Sequence, residues 1–388
     1  MKQKKIKTRY GLLILFVLIS IISAGCSNTT QPSQSKEGVE EIIVTDLAGR
    51  EVVLQGPIEK TVINWSGAGG AFMTMSALLQ EEVADYIAGW GNSLPNFRYD
   101  MYQQFMKSVP GLEDIIDIGN VENDDFNIEK VIQLNPDVVI LTLQVKEQAE
   151  KTVVPTLEAA GIPVMYIDYH AQTIENHTKT TALLGKIFDK EEKANEIIDF
   201  YTSKMAEVEH RLSNINKEKP SVYIEVGMRG PEEYGNSYGD NFMWGALAKE
   251  SGGKSIGAGI INNSEPINPE YLLRANPDYI IMTGSYWPAN PTSLRLGFLS
   301  NEEESQELLR EFTYRSGWQG LKAVENQDVY AIHHGLGREM YDCAASAFFA
   351  KIFYPEEFAD IDPMATLQEY YDRFLPFDLS GIWMMQLK

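Results

Sequence analysis

Continuous runs of Val, Ile and Tyr, bounded by turn-forming residues, recur along the chain and predict buried β-strands. Four of these runs cover residues 61–64, 164–168, 221–227 and 329–333. Unbroken apolar runs, as opposed to alternating ones, are typical of parallel strands that helices cover on both faces. The pattern therefore predicts an α/β fold built on parallel sheets.

An internal repeat relates the two halves of the chain. Residues 127–140 match residues 268–281 at a constant offset of 141 positions, with Asn, Glu, Asn-Pro-Asp and Ile in register. In each copy the first Asn is suited to cap a short helix, Asn-Pro ends that helix, and an apolar run begins a strand. Because the offset is about the size of one domain, the repeat predicts two similar lobes rather than a solenoid.

The segment between the lobes has a different composition. Residues 173–218 contain one Gly, no Pro, and many Lys, Glu, Ala, Leu and Ile residues, which predicts one long helix or two abutting helices. Such a linker is stiff, so small adjustments are expected rather than a large hinge closure. The predicted organisation is a first lobe over 41–172, the linker over 173–218, a second lobe over 219–353, and an extension over 354–388. The extension either packs over the second lobe or contacts a partner.

The N-terminus has the features of an export signal. Basic residues precede an apolar run over residues 11–22, and small residues follow up to Cys26. Residues 23–26 resemble a bacterial lipobox, which predicts a signal peptide over 1–25, lipidation of Cys26 and a flexible tether over 26–40. An ordinary secretory signal is the alternative, and the chain is exported in either case. A lipidated Cys26 leaves Cys343 without a disulfide partner.

Charge and motifs narrow the classes of function. The chain carries 33 Lys and Arg against 55 Asp and Glu, a formal charge of −22, which opposes binding to nucleic acid. Residues 235–239 match G-x-S-x-G, so a secreted serine hydrolase using Ser237, with Asp278 and His333, is an alternative of another class. The polar, turn-rich stretch 229–233 does not fit the strand that must precede such a serine. The sequence has no H-E-x-x-H and no Cys pair at zinc spacing.

Several segments together resemble one family of binding proteins. These segments are 44–52 (VTDLAGREV), 117–119 (DIG), 134–140 (LNPDVVI) and 161–164 (GIPV). The chain is similar, over roughly residues 41–353, to the periplasmic binding proteins for iron siderophores, haem and corrinoids. The resemblance implies two lobes bridged by a long helix and a ligand held between them without catalysis.

The resemblance also implies a ligand class and partners. The expected ligand is an Fe(III) chelate of the siderophore type, with haem, a corrinoid or a divalent metal ion as alternatives, and no cofactor is expected to be bound permanently. The partners would be an ABC permease and its ATPase. Permease arginines would contact acidic residues on the rims of the lobes, for which Glu113 or Asp114 and Glu250 are the candidates.

Ligands of parallel α/β sheets collect beyond the carboxyl ends of the strands. The loops at these ends are rich in aromatic and cationic residues, which suit stacking on a chelate and binding of its anionic groups. The candidates for charge are Arg98, Arg229 and Arg338, and those for stacking are Trp65, Trp90, Tyr238, Tyr286 and Trp287. His333 and His334 are further candidates, and either could ligate a metal. Core packing is the alternative for each aromatic residue, and a surface ion pair is the alternative for Arg338.

Overall fold

The computed structural model describes residues 40–388. The first lobe begins with an antiparallel hairpin, β1 (Glu41–Thr45) and β2 (Glu51–Gln55). A parallel sheet of order β5-β4-β3-β6-β7 follows, formed by β3 (Thr61–Ile63), β4 (Ile87–Trp90), β5 (Ile116–Asp117), β6 (Val138–Thr142) and β7 (Val164–Ile167). Its helices are α1 (Phe72–Leu79), α2 (Ser93–Phe97), α3 (Tyr99–Ser108), α4 (Ile128–Leu134), α5 (Lys146–Thr152) and α6 (Val154–Ala159).

Two helices connect the lobes, α7 (Ile174–Ile187) and the long α8 (Glu191–Ser213). The chain breaks between them at Asp189, whose φ of 53° lies in the left-handed region. The two helices pack on each other and bury Leu184, Ile197 and Tyr201.

The second lobe repeats the parallel arrangement. Its sheet has the order β10-β8-β12-β13-β14, and a separate ribbon pairs β9 with β11. The strands are β8 (Ser221–Val226), β9 (Asn236–Tyr238), β10 (Lys254–Ser255), β11 (Ser264–Pro266), β12 (Tyr279–Gly284), β13 (Val329–His333) and β14 (Met384–Gln386). The helices are α9 (Met243–Glu250), α10 (Pro269–Ala275), α11 (Glu302–Thr313), α12 (Lys322–Glu325), α13 (Asp342–Phe353) and α14 (Pro363–Phe374).

The structure confirms the predicted fold class and the repeat. All four predicted strands are present, as β3, β7, β8 and β13. The Asn127 side chain accepts a hydrogen bond from the Lys130 amide at the start of α4, and Asn268 accepts two from the first turn of α10. Asn135 and Asn276 end these helices in the left-handed conformation, with φ values of 47° and 44°. Each copy is therefore a capped helix, a turn and a buried strand.

The C-terminal extension packs across the molecule. Its strand β14 pairs antiparallel with β13, and Trp383 is buried against the second sheet. The ring of Phe377 contacts both Phe105 of the first lobe and Phe298 of the second, with centroid separations of 4.8 and 5.6 Å. Buried residues from both lobes and the extension form one continuous apolar cluster. We call residues 363–386 the C-terminal brace.

Cys26, the signal peptide and almost all of the tether lie outside the described residues. Within residues 40–388, no helix is long and apolar enough to span a membrane.

Candidate functional site

A cavity of about 240 Å³ lies between the lobes, beyond the carboxyl ends of their parallel strands. The first lobe lines it with Trp65, Ala68, Phe97 and Arg98, and the second lobe contributes chiefly Tyr238, Trp287, His334, Gly335 and Arg338. The lobes also contact each other beside it: the Phe298 amide donates to Asp100 Oδ2 at 2.7 Å, and the Ser285 hydroxyl donates to the Phe97 carbonyl at 3.0 Å. The cavity is thus enclosed by both lobes.

A tight turn after β3 forms the aromatic wall of the first lobe. A Cβ on Gly70 would stand 1.8 Å from the Trp65 carbonyl oxygen, so the turn requires glycine there. The turn also lets Trp65 Nε1 donate to the Ala68 carbonyl at 3.1 Å. The indole stacks on Phe97, with a centroid separation of 5.6 Å and an interplanar angle of 22°. A flat apolar surface therefore faces the cavity.

Arg98 reaches the cavity from the start of α3 and is almost fully buried. Its Nη2 donates to the Tyr341 hydroxyl at 2.8 Å, and its Nη1 lies 3.4 Å from Glu339 Oε1. Both partners belong to the second lobe. Burial lowers the pKa of Arg98, but Tyr341 and Glu339 outweigh burial and the net shift is upward. The guanidinium stays positive, and its enclosed Nε has no hydrogen-bond partner in the part of the chain that the structure describes.

Arg338 approaches the same cavity from the second lobe. Its side chain is half-buried, its Nε is enclosed without a protein partner, and its φ of 69° is unusual for a residue other than glycine. Burial lowers the pKa of Arg338, but arginine pKa values are high enough for the group to remain charged. Two positive groups from opposite lobes therefore line one cavity, where they would attract an anion.

The adjacent histidines have different surroundings. His334 lines the cavity, and its Nδ1 lies 2.8 Å from Thr283 Oγ1 and 3.4 Å from the Trp244 Nε1 that donates to it. Its Nε2 therefore carries the proton, and burial together with the two arginines lowers the pKa of His334 to about 3. His333 instead packs on Trp383, with ring centroids 4.5 Å apart, and accepts from the Gly335 amide.

The structure thus brings together six of the ten predicted ligand contacts. These six are Trp65, Arg98, Tyr238, Trp287, His334 and Arg338. Trp90 is buried in the core against Phe72, Tyr286 stacks on Tyr99 beside the cavity, and Arg229 is exposed. These three residues and His333 lie outside the lining. Contact of any of the ten residues with a ligand stays a prediction.

Neither Glu339 nor Gly335 is among the ligand contacts predicted from the sequence. Glu339 Oε1 accepts from the Gly69 amide at 3.2 Å and also faces Arg98, and burial raises the pKa of Glu339 to about 8. Gly335 lies against Arg98, because a Cβ there would stand 2.5 Å from Arg98 Nε. The nearest signal was the position of Gly335, directly after the two histidines at the end of a strand.

The alternative hydrolase is not supported by the geometry. Ser237 lies in the middle of β9 rather than at a strand-to-helix turn. Asp278 precedes β12, where it bonds Ser221 and pairs with Lys322, whereas His333 ends the neighbouring parallel strand. Asp278 and His333 therefore lie at opposite ends of the sheet. Over residues 40–388, no three His, Cys, Asp or Glu side chains are grouped so that they could hold a metal ion.

The two predicted docking residues lie on different lobes. Glu113 is exposed in a short 3-10 turn, Leu112–Asp114, of the first lobe. Glu250 is exposed at the last position of α9 in the second lobe.

Two α/β lobes that are bridged by a long helix and line a small cavity between them are the architecture of a binding protein. The family model described as periplasmic binding protein matches residues 77–335, well over half of the chain. The chain belongs to this family. It is therefore the non-enzymatic, extracytoplasmic substrate-binding component of an ABC importer, which implies a permease and an ATPase as partners.

Individual relatives agree with this assignment. The crystal structure of the TroA-like periplasmic binding protein FepB from Veillonella parvula is 50% identical, covers 89% of this chain and 100% of its own, and has a TM-score of 0.85. The molybdate-binding protein MolA of Haemophilus influenzae is 20% identical, over 88% of this chain and 93% of its own. The uncharacterized ABC transporter substrate-binding lipoprotein YvrC of Bacillus subtilis is 24% identical, over 85% and 91%.

Proposed function

We propose that this protein captures an anionic metal complex, an Fe(III) chelate of the siderophore type, and delivers it to its permease. The main observation is that two guanidinium groups, Arg98 and Arg338, line one cavity from opposite lobes. Two positive charges this close are costly unless anions balance them, and carboxylate or catecholate oxygens would do so. The ligand would bind reversibly, without bond cleavage.

The aromatic walls support a chelate. Trp65 with Phe97 on one side and Trp287 with Tyr238 on the other offer flat surfaces to ligand rings. His334 Nε2–H is a further donor from the second lobe. The volume of about 240 Å³ lies below the usual range for sites of drug-sized ligands, roughly 300–1,000 Å³. We therefore expect the cavity to hold the charged centre of a chelate while its outer parts extend beyond the cavity.

A free oxyanion is the second candidate. The small volume and the two arginines suit a compact tetrahedral dianion, and the related MolA is named as molybdate-binding. The two candidates differ in their need for the aromatic walls, because an oxyanion gains nothing from stacking.

Tryptophan fluorescence of the mature protein tests both candidates. It would be titrated with a ferric tris-catecholate, ferric citrate, haem, cobalamin, molybdate, and zinc or manganese ions. Saturable quenching by an anionic complex supports the proposal, and quenching that is lost in Trp65→Phe or Trp287→Phe locates the ligand. A response to bare zinc or manganese alone would contradict it.

Charge variants provide a sharper test. Arg338→Gln should weaken binding of the responding anion by roughly 10- to 150-fold, since a hydrogen bond to a charged group contributes about 1.5–3 kcal/mol. Arg229→Gln is the matched control, because Arg229 is exposed and lies outside the lining. Equal loss in the two variants would show that general charge, rather than the cavity, binds the anion.

We further propose that Glu113 and Glu250 contact the permease, one from each lobe. Charge reversal to Lys at either position should reduce uptake of the ligand by whole cells while its affinity for the isolated protein stays unchanged. Unchanged uptake in the double variant would refute this role.

The lipid anchor at Cys26 is likewise a proposal, supported by the lipobox-like residues 23–26. Cys26→Ala should move the protein from the membrane fraction to the soluble fraction. Retention in the membrane fraction would contradict lipidation at this residue.

A further inference from the structure

Glu339 joins the lobes at the edge of the cavity. This second-lobe side chain is 1% exposed, and its Oε1 faces two groups of the first lobe, the Gly69 amide at 3.2 Å and Arg98 Nη1 at 3.4 Å. Its Oε2 is enclosed and has no hydrogen-bond partner among residues 40–388. The carboxylate that pairs with Arg98 is therefore only half-satisfied, and its pairing with Arg98 is long for a charge-assisted bond.

An anion bound at Arg98 would compete with this carboxylate. The ligand's negative charge and an ionised Glu339 would share one guanidinium in a space with little water, where like charges repel strongly. Two outcomes relieve the repulsion: the anion stays out, or Glu339 becomes neutral. Burial raises the pKa of Glu339 to about 8 already in the unliganded protein, despite the nearby arginines, so neutralisation is readily reached.

Several other charged or titratable groups face Glu339, and most of them keep one protonation state near pH 8. They are Arg338, Tyr341 and Asp342 on its own segment, Arg98 at the start of α3, Tyr169 after β7, and Tyr370 on α14. Burial raises the pKa of each of these tyrosines, so they stay neutral near pH 8, and both arginines stay positive. Burial also raises the pKa of Asp342 to about 8. Of the groups named here, only Glu339 and Asp342 therefore gain or lose a proton near pH 8.

We propose that Glu339 is the specificity-determining residue that sets which ligand charge the cleft binds, an inference that rests on the proposed function. It shares Arg98 with the ligand and is protonated whenever an anion is bound, so that Arg98 and Arg338 face the ligand without an opposing carboxylate; where Glu339 is still ionised, binding takes up the proton from solvent. A neutral ligand would neither displace Glu339 from Arg98 nor bring in a proton. The cleft therefore selects anions through a carboxylate that is neutral when the ligand is bound.

The test measures binding of molybdate and of a ferric tris-catecholate whose three catechols belong to one hexadentate ligand, between pH 7 and pH 9, where neither probe changes its charge. Affinity in the wild-type protein should be about tenfold weaker at pH 9 than at pH 7, because a proton must first be bound. Calorimetry in buffers of different ionisation enthalpy should show uptake of about half a proton at pH 8. This measurement needs no variant.

Glu339→Gln should bind the probe with an affinity that does not change over this pH range. Glu250→Gln is the matched control, because partial desolvation of its carboxyl raises the pKa of Glu250 to about 7, whereas Glu339 is the carboxylate that contacts Arg98 and the Gly69 amide; this control variant should keep the tenfold dependence. A flat wild-type profile, or a tenfold dependence that persists in Glu339→Gln and so belongs to Asp342, would overturn the inference. Failure of the wild-type protein to bind any anionic probe would instead contradict the proposed function.

Discussion

Replacing Gly335 by Ala should weaken ligand binding by displacing Arg98. The added Cβ would stand 2.5 Å from Arg98 Nε and 2.6 Å from both Cζ and Nη2. Contacts this short do not occur, so the guanidinium must retreat by about 1 Å to reach ordinary van der Waals distance. The Gly335 backbone does not have a positive φ, so the methyl group itself introduces no backbone strain.

The magnitude follows from what holds Arg98 in place. A shift of this size breaks its 2.8 Å bond to the Tyr341 hydroxyl and moves it relative to Glu339. A buried hydrogen bond to a charged group contributes about 1.5–3 kcal/mol. If the ligand bonds the same guanidinium, its affinity should fall roughly 10- to 150-fold. Tyr341→Phe, which removes the bond without adding a methyl group, should produce part of the same loss.

Isothermal titration calorimetry with the responding anion would measure this loss, and thermal unfolding would report stability in parallel. Gly320→Ala is the matched control, because a Cβ there meets nothing within 4 Å, and it should leave the affinity unchanged. A Gly335→Ala protein with wild-type affinity and stability would refute the placement of Arg98. Equal loss of affinity in both glycine variants would refute the steric reasoning.

Three further predictions concern stability. Phe377→Ala should lower the free energy of unfolding by roughly 2–4 kcal/mol in a denaturant titration, because the ring packs between the lobes. Tyr314→Ala is the control, because Tyr314 is 66% exposed, and it should change the free energy of unfolding by under about 0.5 kcal/mol. Burial lowers the pKa of His177 to about 4. As the pH falls from about 6.5 to 4, this histidine is protonated in the unfolded chain but not in the folded protein, so the free energy of unfolding decreases. His177→Gln should reduce this decrease, which chemical unfolding at pH 7 and pH 4.5 would measure. Asn135 and Asn276 both have positive φ, which glycine adopts more easily than alanine. At each position the Ala variant should therefore be about 1 kcal/mol less stable to unfolding than the Gly variant, and the denaturant midpoints of the four variants would check this.

Local signals were sufficient to predict the architecture. Asn127 and Asn268 cap helices, and Asn135 and Asn276 end them, because each uses interactions within a few residues of itself. The apolar runs become strands because both faces of each sheet are covered. The break between α7 and α8 at Asp189 was left open, because nothing nearby in the sequence distinguishes one helix from two.

The candidate site was only partly predictable, because the direction of a side chain depends on single positions. Trp65 follows β3 by two residues and lines the cavity, whereas Trp90 is the last residue of β4 and points into the core. Trp90 pairs with Ile63 inside the sheet, where the alternation of faces sets its direction, whereas Trp65 lies in the turn beyond the strand, where alternation no longer applies. Glu339 and the docking of Trp383 on His333 depend on contacts between distant segments, for which the sequence gives no local signal.

The C-terminal brace also determines when the entropy of ordering the two lobes is lost. Phe377 between Phe105 and Phe298, together with β14 on the second sheet, fixes the relative orientation of the lobes as the chain folds. The entropy of orienting the lobes is therefore lost during folding and not when a ligand binds, so more of the contact energy appears as affinity. If Arg98 and Arg338 bind the ligand as proposed, they would form a template of fixed span, and ligands would be discriminated by how well their anionic groups match it. A permease that distinguishes loaded from empty protein would then have to detect local changes beside the cavity, because the lobes themselves are held.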